Sequence, residues 1–399
     1  MESEVGTVRA LDGVRVLDLT TSRGGYCGKL FADLGADVVL VEPPEGHEQR
    51  TRPPFVRDED GSDGPSLLFA YLNGNKRVFA ADVFDPSGAA KVRELAGSAD
   101  LVIEDRLPGV LGDVGLGHEA LSRQRSQLVT VSITPFGQDG PYASFDAPDL
   151  ILLALGGLLS LGGYAGGAPM QPPDEQAHVA GSIFGAVGGL MALLAAERDG
   201  EGQHVDVSIQ SAVAMTLENA AQFVDLEGLV RRGFGGTQRQ AGAGVMPCAD
   251  GYVFILAGGV GGNRFWPNLL DWMESEQATG LERLRGEEWN DREYLESDGA
   301  KQTFLEVFGT FARRFTKLEL GMAAQQWRVP LAPVNSPRDV ADDVQLAHRG
   351  FFVPAEIDDV HRAFAPGAHS ILSATPWSSA FRVGPIGEHT QVVLSDWQR

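Results

Sequence analysis

Over the first third of the chain, short apolar runs alternate with polar, glycine-bearing turns. Val14-Arg15-Val16-Leu17-Asp18-Leu19 predicts a strand, Ser22-Arg23-Gly24-Gly25 a turn, and Tyr26 to Leu34 a helix that Gly35 stops. Ala36-Asp37-Val38-Val39-Leu40-Val41-Glu42 predicts a second strand, so the opening is a βαβ unit with a right-handed parallel crossover. Arg77 to Ala81, a helix from Asp85-Pro86 to Ala96, Leu101 to Glu104 and Leu128 to Ile133 continue the alternation. The pattern implies an α/β domain with a doubly wound parallel sheet.

From Asp149 the texture shifts to helices rich in Ala, Gly and Leu, where small residues let backbones approach closely, and Val205 to Ile209 predicts another strand. Residues 225–245, rich in Gly, Arg and Gln, read as a linker or mobile loop. Gly251 to Ala257 predicts a strand and Gly261 to Leu320 a mainly helical stretch, together a smaller α+β domain. The run Val329-Pro330-Leu331-Ala332-Pro333-Val334 suggests the return to the first domain. The expected division is 1–225 with 330–399 as the large domain and 226–329 as the small one.

Charge narrows the choice of partners. With 32 Lys and Arg against 54 Asp and Glu, the formal charge of −22 gives no general attraction to nucleic acid or an anionic membrane, and neither is expected as a partner. The two cysteines, Cys27 and Cys248, show no metal-type spacing, so no metal is expected and a reducing cytoplasm fits. The N-terminal residues lack the basic and apolar regions of a signal peptide. The apolar runs after Leu150 and Val179 are broken by glycines and read as packed core rather than as membrane spans. The glycine turn has neither G-x-G-x-x-G spacing nor a Walker lysine, which disfavours a dinucleotide dehydrogenase.

Other segments are more specific in combination. Leu11 to Leu19, Ala32 to Val39 and Leu72-Asn73-Gly74-Asn75-Lys76-Arg77 come first, then Gly115-Leu116-Gly117, Phe136-Gly137-Gln138-Asp139-Gly140-Pro141-Tyr142 and Gly200 to Ser208. Val329 to Asn335, Arg349-Gly350-Phe351-Phe352 and Gly387-Glu388-His389-Thr390 complete the set. In that order these segments resemble the family III CoA-transferases (CaiB/BaiF type), which include α-methylacyl-CoA racemases. The resemblance implies an interlocked homodimer, a large Rossmann-like domain built from both chain ends, and acyl-CoA and carboxylic acids as substrates.

It also implies a nucleophilic aspartate at a helix start, which attacks the acyl thioester. Counting back from Ala192-Leu193-Leu194-Ala195-Ala196-Glu197-Arg198 without a gap sets His178 at that position; Asp174 and Glu175 align only after a shift of three or four residues. Racemases of the family add a histidine in a Gly-His-Asp segment, and here Ala147-Pro148-Asp149 stands instead. Asp149 is therefore a candidate catalytic residue or a cap for the helix that follows it. His178 is the expected reaction centre, since a helix N-terminus favours the neutral imidazole that acts as base or nucleophile. Gln138 is a candidate supporting group.

For CoA, the candidates are Arg23 after the first strand, Lys76 and Arg77 before the third, and Asp105 and Arg106 after the strand ending at Glu104. The family run Asn-Phe-Arg-Pro-Gly reads Asp105-Arg106-Leu107-Pro108-Gly109 here, with the arginine displaced by one residue. Gly235-Gly236, Gly242-Ala243-Gly244 and Gly258 to Gly262 are candidate covers over the thioester. Three functions follow: CoA transfer between carboxylic acids, racemisation, epimerisation or lysis of an acyl-CoA with His178 as base, or CoA-ester binding without catalysis.

Overall fold

The computed structural model describes residues 8–57, 60–164, 166–231, 233, 235–236, 238–258, 265–358, 360–378, 381–382 and 384–397. The chain divides into two compact units, one of residues 1–159, 172–227 and 344–399, the other of 160–171 and 228–343.

In the larger unit the strands are β1 (Arg15–Asp18), β2 (Asp37–Glu42), a short β3 and β4 pair (Phe55–Arg57 and Asp63–Ser66), β5 (Arg77–Ala80), β6 (Leu101–Glu104), β7 (Val129–Thr134) and β8 (His204–Ser208). Six of them form one parallel sheet in the order β5-β2-β1-β6-β7-β8. Counted within the sheet this is 3-2-1-4-5-6, the doubly wound order, whose direction reverses between β1 and β6. Every residue of β7 is buried, as expected when helices cover both faces of a parallel sheet. Along the strands, Val16 and Ile103 point into one core with helix Gly25–Asp33 and the long helix Gln176–Asp199, whereas Leu17 and Val102 point into the other with helix Pro86–Ala96.

The long helix lies close against the sheet because glycines recur along one of its stripes. A Cβ on Gly181 would stand 2.8 Å from Ile209, on Gly185 2.8 Å from Ile133, and on Gly189 3.1 Å from Val131. This helix is also long and apolar enough to cross a membrane by length and composition.

In the smaller unit β9 (Ala243–Cys248), β10 (Gly251–Leu256) and β11 (Leu331–Pro333) form an antiparallel sheet in the order β11-β10-β9. Its core is aromatic, with Trp266, Trp272, Trp289, Phe304, Phe308 and Phe311 buried together. Gly242 to Gly244 leads into β9, and Gly259 to Gly262 lie outside the described residues.

The larger unit resumes with the hairpin β12 (Phe352–Glu356) and β13 (Arg362–Pro366) and ends in helix Thr390–Trp397. Before that helix His389 Nδ1 accepts from Val78 N (3.2 Å), and Thr390 Oγ1 accepts from Ala80 N (3.0 Å), so side chains from the end of the chain cover part of the edge strand β5.

Candidate active site

The reversal between β1 and β6 opens a crevice at the carboxyl ends of the strands, and the loop after β1 runs along it. Asp105, fully buried just after β6, holds that loop. Its carboxylate accepts from Thr21 N (2.8 and 2.9 Å), Thr21 Oγ1 (2.9 Å), Arg23 N (2.9 Å) and Gly24 N (3.0 Å). The expected CoA contact at Asp105 is thus occupied by the protein's own loop, and the residue acts there as a positioning group. The Arg23 guanidinium reaches Asp146 and the Asp105 carbonyl, while its own carbonyl accepts from Ser182 Oγ (3.0 Å), tying the loop to the long helix.

The two cations before β5 have other work. Lys76 is buried beneath helix Gly25–Asp33, donating to Asp18 Oδ2 (2.7 Å), Asn73 Oδ1 (2.9 Å) and Gly25 O (3.0 Å). Gly28 makes room for this arrangement: a Cβ there would lie 2.1 Å from Asp18 Oδ2. Arg77 pairs with Asp37 and with Asp396 (3.1 Å) at the amino end of β2, and Trp397 Nε1 donates to the same Asp37 carboxylate (2.8 Å). The Arg77 guanidinium is thus engaged at the amino end of β2, and the Lys76 ammonium, though it reaches the last residue of β1, is sealed there against Asp18, so neither of these expected phosphate holders is presented to a ligand. Arg106 lies just after β6. Its guanidinium stacks over Phe84 (5.5 Å to the ring centre), and among the described residues its Nε has no hydrogen-bond partner.

At the start of the long helix three acidic residues divide the labour. Asp149, the first residue of helix Asp149–Leu155, sends its carboxylate to a different helix, where Oδ1 accepts from Ala177 N (2.8 Å) and His178 N (3.1 Å). It therefore caps the helix that bears His178, 28 and 29 positions further along, rather than its own. Burial, only partly offset by these bonds, raises the Asp149 carboxyl above its ordinary range. Glu175 stands at the N-cap position itself but makes no capping bond. Its Oε1 receives Arg52 Nη2 (2.6 Å) and its Oε2 lies 3.4 Å from His178 Nδ1. The neighbouring His178 ring, and after it the Arg52 guanidinium, hold the Glu175 carboxyl down at about 2 against the opposing effect of burial. Asp174 just before it adopts φ 60°, in the left-handed region that non-glycine residues seldom occupy.

His178 is buried, with 7% of its surface exposed; Nδ1 faces Glu175, and among the described residues Nε2 has no hydrogen-bond partner. It borders a cavity of about 580 Å³ whose walls include Arg23, Tyr26, Arg52, Tyr71 and Glu175. The structure thus brings His178, Arg23 and, beneath them, Asp149 together. Gln138 goes elsewhere: its backbone N–H donates to Asp206 (3.0 Å), and it lines a separate cavity of about 550 Å³ with Glu104, His118, Ser132 and His204. Burial pushes the Glu104 carboxyl up to about 7.

Arg52, Tyr26 and Tyr71 are site residues that the sequence reading does not single out. Arg52 meets Glu175 across 123 positions of chain, a separation at which no local motif operates.

The chain matches the model of CoA-transferase family III over residues 11–390. It is 40% identical, over 95% of its length and 92% of the relative's, to the succinyl-CoA:(R)-benzylsuccinate CoA-transferase subunit BbsE of Thauera aromatica. It is 31% identical to the succinate–glutarate CoA-transferase of Agrobacterium fabrum, over 97% of this chain and 95% of that one. Among solved structures, a CAIB/BAIF family protein from Brucella suis superposes with a TM-score of 0.85 at 26% identity, covering 98% of this chain and all of the other. The chain belongs to CoA-transferase family III. It is accordingly a transferase that moves CoA between carboxylic acids, with CoA thioesters as substrates.

Proposed function

We propose that this chain takes CoA from succinyl-CoA and passes it to a second carboxylic acid, and that His178 meets the thioester carbonyl. One observation carries the reading: a buried imidazole whose Nε2 has no partner among the described residues borders an open cavity. Buried polar groups are nearly always satisfied, so an orphaned ring nitrogen beside free volume is the mark of a group awaiting a ligand. Glu175 beside Nδ1 orients the ring and leaves Nε2 to react. Succinyl-CoA as donor is supported by the names of the Thauera and Agrobacterium relatives. Tyr26, Tyr71, Leu67 and Pro53 give the cavity an apolar wall, which suits an acceptor acid with an apolar body, as in the benzylsuccinate of the Thauera relative's name. Arg106 and the loop held by Asp105 would receive the CoA moiety.

In this mechanism Nε2 attacks the thioester carbonyl, the C–S bond breaks and CoA leaves as the thiolate. The acceptor carboxylate then attacks the acyl-imidazole, which frees His178 and forms a mixed anhydride. The CoA thiolate attacks the acceptor's carbonyl and the donor acid departs, so atoms balance without water. Single turnover with acceptor acid labelled with heavy oxygen tests the route. Label in the first donor acid released supports it, because one acceptor oxygen passes directly through the anhydride. Label left on a protein carboxylate, or full activity in His178→Ala, would overturn it.

A second reading is favoured by the Thauera relative being named as one subunit of its enzyme, together with a histidine where the resemblance sets an aspartate. Here the chain works in a two-chain assembly, covering the exposed Ile183, Phe184, Val187, Met191 and Leu194 of the long helix, and a different chain supplies the nucleophilic carboxylate. An isolated chain that binds CoA but gains turnover only with a second, carboxylate-bearing family member would support this reading over the first.

A further inference from the structure

We infer that Arg52 is the anchor for the second, unreacting carboxylate of a dicarboxylic substrate, and that Glu175 is the resident carboxylate which that group displaces. The inference rests on the His178 cavity being the acyl site. Glu175 stands where a helix is normally capped, yet the cap comes from Asp149, which leaves the Glu175 side chain to lie between Arg52 and His178. A carboxylate therefore already rests in a cradle made of a guanidinium and an imidazole, inside a cavity of about 580 Å³.

The cradle is open to exchange. The side chains of Arg52 and Glu175 keep 38% and 32% of their surface exposed, so a carboxylate arriving from solvent reaches the guanidinium without unfolding anything. The pair is made through one nitrogen of Arg52, and among the described residues the other N–H groups of its planar fork have no side-chain or backbone acceptor. A guanidinium offers two parallel donors to a free carboxylate and binds it more strongly in that fork than through a single contact. Asp174, immediately before Glu175, holds a positive φ, a backbone state that costs free energy in a non-glycine residue. The guanidinium and imidazole are bridged by a single carboxylate, which suits a short diacid whose far end pairs with Arg52 while its near end meets Nε2. When Oε1 of Glu175 is displaced, Oε2 can stay beside His178, so anchoring the substrate does not disorient the ring.

The test reads binding rather than turnover, so it stands whichever chemistry His178 performs. Succinate and butyrate, four-carbon acids differing by one carboxylate, are titrated by ligand-observed NMR into the full chain and its Arg52→Gln, Arg52→Lys and Glu175→Gln variants. Folding of each is checked by thermal unfolding. Arg52→Gln is expected to weaken succinate about 30-fold and butyrate less than about 3-fold, with Arg52→Lys recovering part of the loss. Glu175→Gln is expected to tighten succinate about 5-fold or more, by removing its competitor. Equal weakening of both acids by Arg52→Gln, or weaker succinate binding in Glu175→Gln, would overturn the inference. A failed His178 mechanism would show instead in the oxygen-label experiment, with these titrations unaffected.

Discussion

Arg77 and Arg106 each adjoin a strand of the same parallel sheet, yet they live in opposite electrostatic settings. At the amino end of β2, Arg77, Asp37, Asp396 and Trp397 satisfy one another, and at the carboxyl end of β1 Lys76 is likewise spent, sealed under a helix with Asp18. Near the carboxyl ends, Arg106 Nε, Asp149 Oδ2 and His178 Nε2 are buried without hydrogen-bond partners among the described residues. Similar residue types thus serve stability where acidic partners surround them and stand ready for a ligand where none does. A cation near a strand is informative only once its partners in the fold are known.

The sharpest way to break this contrast is at Lys76. Lys76→Met should cost about 3–5 kcal/mol of stability, because it leaves the fully buried Asp18 carboxylate unpaired, while a folded fraction keeps its affinity for CoA. Urea denaturation and CoA titration on the same variant check it, and a stable Lys76→Met that no longer binds CoA would return this lysine to the ligand site. Next come the arginines. Arg106→Ala should weaken CoA about 10- to 150-fold, the worth of a shielded charge-assisted contact, whereas Arg77→Ala should leave CoA affinity within about 2-fold. Calorimetry on both variants would reverse the assignment if Arg77 showed the larger loss.

A third effect has opposite sign. Burial holds the Glu104 carboxyl up at about 7, so the folded chain keeps this proton more tightly than the unfolded chain does. Its contribution to stability is complete below about pH 4.5 and is lost as pH rises through about 7. Glu104→Gln should therefore gain about 1–3 kcal/mol relative to the parent between pH 5 and pH 8. Denaturation curves at the two pH values decide it, and parallel losses at both would show Glu104 to be a structural carboxylate. Smallest is the cap. Asp149→Ala should cost about 1 kcal/mol by freeing the Ala177 and His178 N–H groups, and hydrogen exchange should rise first at those amides.

Where local pattern governs, the chain is easy to read. β1, β2, β5, β6, β7 and β8 fall on the predicted apolar runs, because a parallel strand covered on both faces must be apolar and glycine turns punctuate it. The β12 and β13 hairpin is not anticipated, since Pro354 and the exposed Arg362 and Phe364 disguise its alternation. In the site, the position of His178 is visible from the helix that follows it. Its setting is not, because each partner is brought by the fold: Asp149 from another helix, Arg52 from the loop before β3, and Tyr71 from the helix after β4. Lys76 shows the reverse error, a motif residue whose neighbours in space, Asp18 and Gly25, make it part of the core.

The larger unit is threaded from three separate lengths of chain, and its edge strand β5 finds two of its acceptors in His389 and Thr390. During synthesis β5 emerges more than 300 residues ahead of those side chains. For that interval it presents unpaired N–H groups to any neighbouring nascent strand. The smaller unit, drawn almost wholly from 228–343, is complete before the segment that covers β5 has been made. Production of this protein should therefore depend on how quickly the last stretch is delivered, and a ribosome stalled near residue 380 would hold a chain whose sheet is assembled but whose edge is still adhesive.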